Sequence, residues 1–304
     1  MTDPVSELFY TLKFKIDFLK KKGTAFQDWF VDLVGHAYGS DFESVRPYGN
    51  QGDWKCDGRR LSTGTIYQCY APESARDRVM IEKIDTDLEG AVAKWPHFIK
   101  KWVFVHNDSR GLPPTVVDHL DQKRTQYPNL EIEIWSEPDL LELFRMIRPD
   151  AKQLMFGDAP TPKTVELITL SDLEPVISVL KQQDPDPGDD LPPPPSEQKL
   201  EKNSLSKEAY QLLLLGRRKA GLVEKYFATN MRVELGEKIA EALRRKYAEL
   251  QSFELSGDAI FFHLQEYSGF AGGPREQVAA MAVMAYFFDR CDIFEDPDNE
   301  AVDI

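Results

Sequence analysis

The chain has 304 residues, 42% of them hydrophobic and 29% charged, an ordinary globular composition with room for about two domains. No run approaches the roughly 18 apolar residues of a membrane span, and Met1 to Glu7 lacks the basic-then-apolar plan of a signal peptide, so a cytoplasmic protein with no membrane partner is expected. Three cysteines (Cys56, Cys69 and Cys291) without a CxxC pair argue against a disulfide framework and structural zinc, and a net charge of −14 argues against a chain that coats nucleic acid indiscriminately.

The acidity is uneven. It amounts to −4 over residues 1–150 and −10 over the rest, so a nucleic-acid site belongs in the first half. Val5 to Lys22 reads as a helix with Leu8, Leu12, Ile16 and Leu19 on one stripe. A second helix follows Gly23-Thr24, with Phe26, Trp29, Phe30 and Leu33 on one face. A short strand at Ser44 to Arg46 precedes a hairpin, "GDWKCDGRRLSTGTIYQCYAP", from Gly52 to Pro72. Next come a helix over 75–94, a strand "KWVFVHN", a helix "TVVDHLDQKRTQY", a strand "LEIEIW" and a helix "PDLLELFRMI". Nearly wholly apolar strands between amphipathic helices predict a mixed α/β domain with its sheet covered on both faces.

Residues 151–181 read as a tail with one short helix over 170–181. The stretch "QQDPDPGDDLPPPPSEQ", 182–198, reads as a semi-stiff exposed spacer, because prolines without backbone donors favour an extended chain. Beyond it every period is helical. Glu234 to Leu250 carries Leu235, Ile239, Leu243, Tyr247 and Leu250 on one stripe, and Pro274 to Arg290 is apolar nearly all round, as a central helix or a subunit interface would be. The expected organisation is therefore an α/β domain over 1–155, a tail and acidic proline-rich linker over 156–203, and an all-α, partner-binding domain over 204–304.

The hairpin carries the chemistry. An aspartate at the tip of one strand and an acceptor oxygen from the next can converge, and two hard oxygens suit Mg²⁺. Gln68 alternates with Ile66 and Tyr70, so its amide oxygen can face a cation held by Asp57. The plainer reading of Asp53 and Asp57 is that of turn formers bonding nearby backbone; the order of elements weighs against it. His36, His97, His106, His119 and His263 show no ligand spacing, and there is no GxxxxGK[ST], GxGxxG or GxSxG motif.

At these residues the chain resembles the PD-(D/E)xK nuclease superfamily, most closely its Mrr-type, restriction-endonuclease-like branch. "GDWKCDG" (52–58) and "YQCY" (67–70) stand in that branch's order and spacing, preceded by the helix "FQDWFVDLV", and the likeness spans about residues 24–150. It implies a metal-dependent endonuclease acting on DNA, with RNA as the other substrate it allows, and Mg²⁺ or Mn²⁺ as cofactor. Carried over, Asp57 and Gln68 are metal ligands, Gln27 or Asp28 is the weaker contributor from the first helix, and Asp53 assists. Tyr70 stands where the family has a lysine. Lys55, Arg59, Arg78 and Lys83 are candidates for the displaced cation, and Arg59, Arg60, Arg78 and Lys83 for contacts to substrate.

The segments "LVEKYFATNMRVELGEKIAEALRRKYAEL" and "EQVAAMAVMAYFFDRCDIFEDP" resemble the helical C-terminal domains of effectors in bacterial ABC three-component systems, which act against phages and plasmids. That likeness implies docking onto partner subunits, an ATPase among them, and a homodimer is a further expectation. The alternative to a nuclease is a catalytically inactive nuclease-fold module that binds nucleic acid or protein as an adaptor.

Overall fold

β3 (Thr65–Tyr70) is the strand around which the first half is organised, and its residues are buried on both faces apart from the partly exposed Cys69. The structure is a computed structural model that describes residues 3–45, 54–73, 76–181, 205–229, 233–253, 257–269 and 272–290, with residues 203, 255 and 294 besides. Asp53 and the spacer 182–198 lie outside the described residues. The chain divides into two compact units, Lys13–Met155 and a second made of Met1–Leu12 with Phe156–Ile304.

The first unit opens with the second half of α1 (Pro4–Lys20), whose first half belongs to the other unit, and with α2 (Gly23–Tyr38), then β1 (Phe42–Ser44) and β2 (Gly58–Arg60). β3, α3 (Asp77–Lys94), β4 (Lys101–His106), α4 (Pro114–Gln126), β5 (Glu131–Trp135) and α5 (Glu137–Met146) follow. The five strands lie in the order β1-β2-β3-β4-β5. β2 is antiparallel to both of its neighbours, β1 and β3, whereas β3, β4 and β5 run parallel, so α3 and α4 are crossover helices.

Alternation along β3 sends its side chains to two different layers. Ile66 and Tyr70 pack with Trp102, Phe104 and Ile132 against Met80, Ile84 and Leu88 of α3 and Val116 and Leu120 of α4. Tyr67 points the other way, with its ring 5.6 Å from Phe30 of α2 and 5.1 Å from Trp135. The predicted mixed sheet flanked by helices is therefore what forms. Truncating a ring such as Trp102, fully buried in this layer, to alanine would cost about 3–5 kcal/mol.

The second unit is helical. The stretch read from the sequence as a tail first completes the other unit with α6 (Pro149–Phe156, only its last residue beyond the division) and then contributes α7 (Pro162–Glu166) and α8 (Leu170–Lys181) here, and Leu173, Val176, Ile177 and Leu180 of α8 are buried. α9 (Lys207–Arg217), α10 (Ala220–Thr229), α11 (Val233–Ser252), α12 (Gly257–Tyr267) and α13 (Pro274–Asp289) complete it. α13 takes the central position of its two expected roles: Val278 through Ala285 are fully buried within the unit. Ion pairs tie it to its neighbours, Arg217–Asp289 at 2.6 Å and Arg275–Asp172 at 3.0 Å.

Candidate functional site

The register pairs Gly58 of β2 with Tyr67 of β3, yet the preceding Asp57 N–H also reaches the Tyr67 carbonyl, at 3.0 Å. Two residues opposite one make a β-bulge, which ends regular pairing and re-aims the side chain. β2 stops there, so among the described residues the β3 edge beside Cys69 has no strand partner on that side, and the Asp57 carboxylate fills the place. Its Oδ2 accepts the Cys69 backbone N–H at 2.6 Å, and its Oδ1 accepts Gln27 Nε2, also at 2.6 Å. Asp57 is 3% exposed. A carboxylate so buried is held by the two charge-assisted hydrogen bonds.

Of the first-helix alternatives, Gln27 is therefore the residue brought to Asp57; Asp28 lies on the exposed side of α2. The Cys69 thiol also meets Asp57. Burial above all, and then the neighbouring carboxylate, push its pKa well up, while the Lys83 charge pulls the other way, so Cys69 remains a neutral thiol.

Gln68 leaves the strand on the other face, with Ile66 and Tyr70, and its Oε1 is buried without a hydrogen-bond partner. Tyr70 is stacked on Phe104 at 5.7 Å, its hydroxyl likewise buried and unpartnered, and burial raises its pKa. The position at which the nuclease resemblance expects a lysine is thus an uncharged part of the core.

Positive charge arrives from elsewhere. Asp87, fully buried on α3, receives Lys55 Nζ at 3.2 Å and the Lys83 ammonium one turn before it. Lys55 comes from the segment before the bulge, where it and Trp54 both have left-handed backbones, φ 58° and 54°. Such conformations cost roughly 1–3 kcal/mol each for side chains other than glycine. They send Lys55 across α3 at Gly90, where a β-carbon would stand 2.5 Å from Lys55 Cγ. The sequence offered one sign of this cluster, an aspartate at position 87 within the apolar stripe Met80, Ile84, Leu88 and Ala91.

The remaining expected contacts are dispersed. Arg59 is paired with Glu43 at 2.6 Å and lies over Trp95 and Phe98, 5.0 and 5.1 Å from the ring centroids. Arg60 is paired with Asp41 at 2.7 Å and covers Tyr38. Arg78, its side chain 91% exposed, pairs only along its own helix with Glu82, as a solvated face would.

Among the described residues no three or more His, Cys, Asp or Glu side chains are grouped to hold a metal ion. The donor types are nonetheless those a hard cation takes: the Asp57 carboxylate, and Gln68 Oε1, an acceptor without a hydrogen-bond partner on the adjacent strand.

Comparison with known proteins bears on the other unit. Residues 171–295 match C-terminal domain 10 of the ABC-three component (ABC-3C) systems. The match begins inside the stretch that sequence reading assigns to a tail, and takes in α8 to α13. No curated protein and no solved structure matches the chain. The ABC-3C domain likeness suggests protein partners in a multi-component system. Among the described residues no helix is long and apolar enough to cross a membrane.

Proposed function

We propose that this chain is the nuclease effector of an ABC-3C defence system: its ABC-3C-like helical part docks partner subunits, an ATPase among them, and its α/β unit hydrolyses phosphodiester bonds of DNA, with RNA as the other substrate class. The observation that carries the reading is Asp57, buried at a bulge and fastened to the β3 backbone at Cys69, the residue after Gln68, whose Oε1 is buried without a hydrogen-bond partner.

Asp57 and Gln68 would hold Mg²⁺ or Mn²⁺, which supplies a polarised phosphoryl oxygen and a bound water of lowered pKa, the rest of its shell coming from water and phosphate. The protein's own share is positioning and charge. Gln27 and the Cys69 N–H fix the carboxylate. Lys55 and Lys83, which both pair with the buried carboxylate of Asp87 and keep part of their side chains in solvent, bring ammonium groups that would stabilise an anionic phosphate. In this reading they take over from the lysine that Tyr70 replaces.

A second reading, an inactive module that binds nucleic acid or protein, is favoured by one observation, the uncharged and core-packed Tyr70. Incubating supercoiled plasmid with the parent and with Asp57→Ala, in Mg²⁺ and in Mn²⁺, separates the two. Cleavage by the parent alone supports the nuclease. Equal cutting by both removes Asp57 from the mechanism, and retention of nucleic acid in chelator without cleavage in any divalent metal selects the binding module.

A further inference from the structure

Trp54 keeps 40% of its surface exposed even though it sits in a left-handed backbone that a bulky residue rarely adopts. The turn is held where it is. Trp95 Nε1 donates to the Trp54 carbonyl at 3.2 Å, and the two rings meet edge to face at 5.4 Å. Trp95 in turn packs against Phe98 at 6.1 Å under the Arg59 guanidinium. The next residue, Lys55, turns inward to Asp87 and Lys83. An indole held in the solvent and two lysine side chains that keep part of their surface exposed thus stand together, Trp54 and Lys55 lying three and two residues before Asp57.

We propose that the Trp54–Lys55 turn binds an unpaired nucleotide of a single-stranded nucleic acid, the base stacking on the Trp54 indole and its phosphate meeting the Lys55 and Lys83 ammonium groups. Every base has a π-face and every nucleotide an anionic phosphate, so an aromatic surface beside lysines recognises a single strand without base preference. A duplex keeps its bases stacked inside and offers the indole nothing equivalent. The inference rests on the nucleic-acid reading above and adds the form of strand and the residues that hold it.

The test uses the full chain in chelator, titrated with a labelled oligothymidine of about 12 nucleotides and with a blunt duplex of the same length. The single strand is expected to bind more tightly and to quench indole emission. Trp54→Ala should weaken it by about tenfold or more, with Trp54→Phe keeping most of the affinity. Lys55→Gln should reduce the slope of log affinity against log salt by about 0.7, the share of one phosphate contact on a single strand.

Equal affinity of Trp54→Ala and the parent overturns the proposal, as does a parent that prefers the duplex or binds neither. Loss of a partner subunit from Trp54→Ala with unchanged oligonucleotide binding assigns the turn to protein contact and also overturns it. Plasmid cleavage that depends on Asp57 is read separately and survives any of these results, so a failed platform and a failed nuclease are distinguishable.

Discussion

Lys55 crosses the face of α3 at Gly90 and meets the buried carboxylate of Asp87 at 3.2 Å. A side chain from the loop before β2 is thereby anchored to a helix more than thirty residues later, on a path that only a residue without a β-carbon leaves open.

Gly90→Ala tests that path. Alanine gains up to about 1 kcal/mol of helix propensity, which about offsets the loss of the Lys55 contact, so the melting temperature should stay close to that of the parent. The added methyl displaces Lys55, so Lys55→Met should cost less stability in the Gly90→Ala background than in the parent. Equal cost in both backgrounds, by denaturant unfolding, would refute the contact.

The Lys55, Lys83 and Asp87 group should be strongly non-additive. Removing one lysine, by Lys55→Met or Lys83→Met, leaves Asp87 one counter-ion and should cost about 1 kcal/mol, because both lysine side chains are partly solvated. Removing both strands a carboxylate in the core, at about 3–5 kcal/mol. A double-mutant cycle from urea titrations measures the excess.

Asp57→Asn should abolish cleavage while preserving the fold. The asparagine oxygen can still accept the Cys69 N–H, and a flip of the Gln27 amide satisfies the new NH₂ group, so stability should change by less than about 1 kcal/mol. Asp57→Ala leaves the Cys69 N–H unpaired and should cost about 1–3 kcal/mol, so its activity is to be compared well below its melting temperature.

Asp41 gives a pH signature. Hydrogen bonds from the Ser62 hydroxyl, then from Arg60 and the Ser62 backbone, hold its pKa at about 2 against an ordinary 3.8. A folded value below the unfolded one means that the contribution is complete above the ordinary value and fades as pH falls toward 2. The stability difference between the parent and Asp41→Asn should therefore be constant near neutrality and shrink in acid; a difference that grows on acidification would contradict the assignment.

In the helical unit a β-carbon at Gly216 would stand 2.3 Å from the Met281 carbonyl oxygen, a backbone atom that cannot swing aside. Gly216→Ala should force α9 and α13 apart and cost about 1–3 kcal/mol. All five tryptophans lie within Lys13–Met155, so far-UV circular dichroism should lose helix at lower temperature while tryptophan emission stays that of the parent.

Much of the fold was legible in the sequence because periodicity is a local property. The apolar stripes of α2 and α11, the buried run of β4 and the punctuation before β3 are each decided within a few turns or one strand. The Asp57 candidate was legible too, from its place before β2 and the spacing to Gln68. The role of 170–181 was not, since a short amphipathic helix carries no mark of which unit covers its apolar face.

What the tertiary structure alone decided are the contacts between elements. Whether Gln27 or Asp28 meets Asp57 depends on the rotational phase of α2 against the sheet and on a bulge that turns the carboxylate, and neither is written in spacing. Tyr70 is a polar-capable residue in the sequence and a core residue in the fold, because Phe104 arrives beside it from a strand more than thirty positions later. Two lysines 28 positions apart converge on Asp87 because strained backbone and a missing β-carbon at Gly90 allow it. Chain periodicity specifies which face a residue occupies; only packing specifies what that face meets.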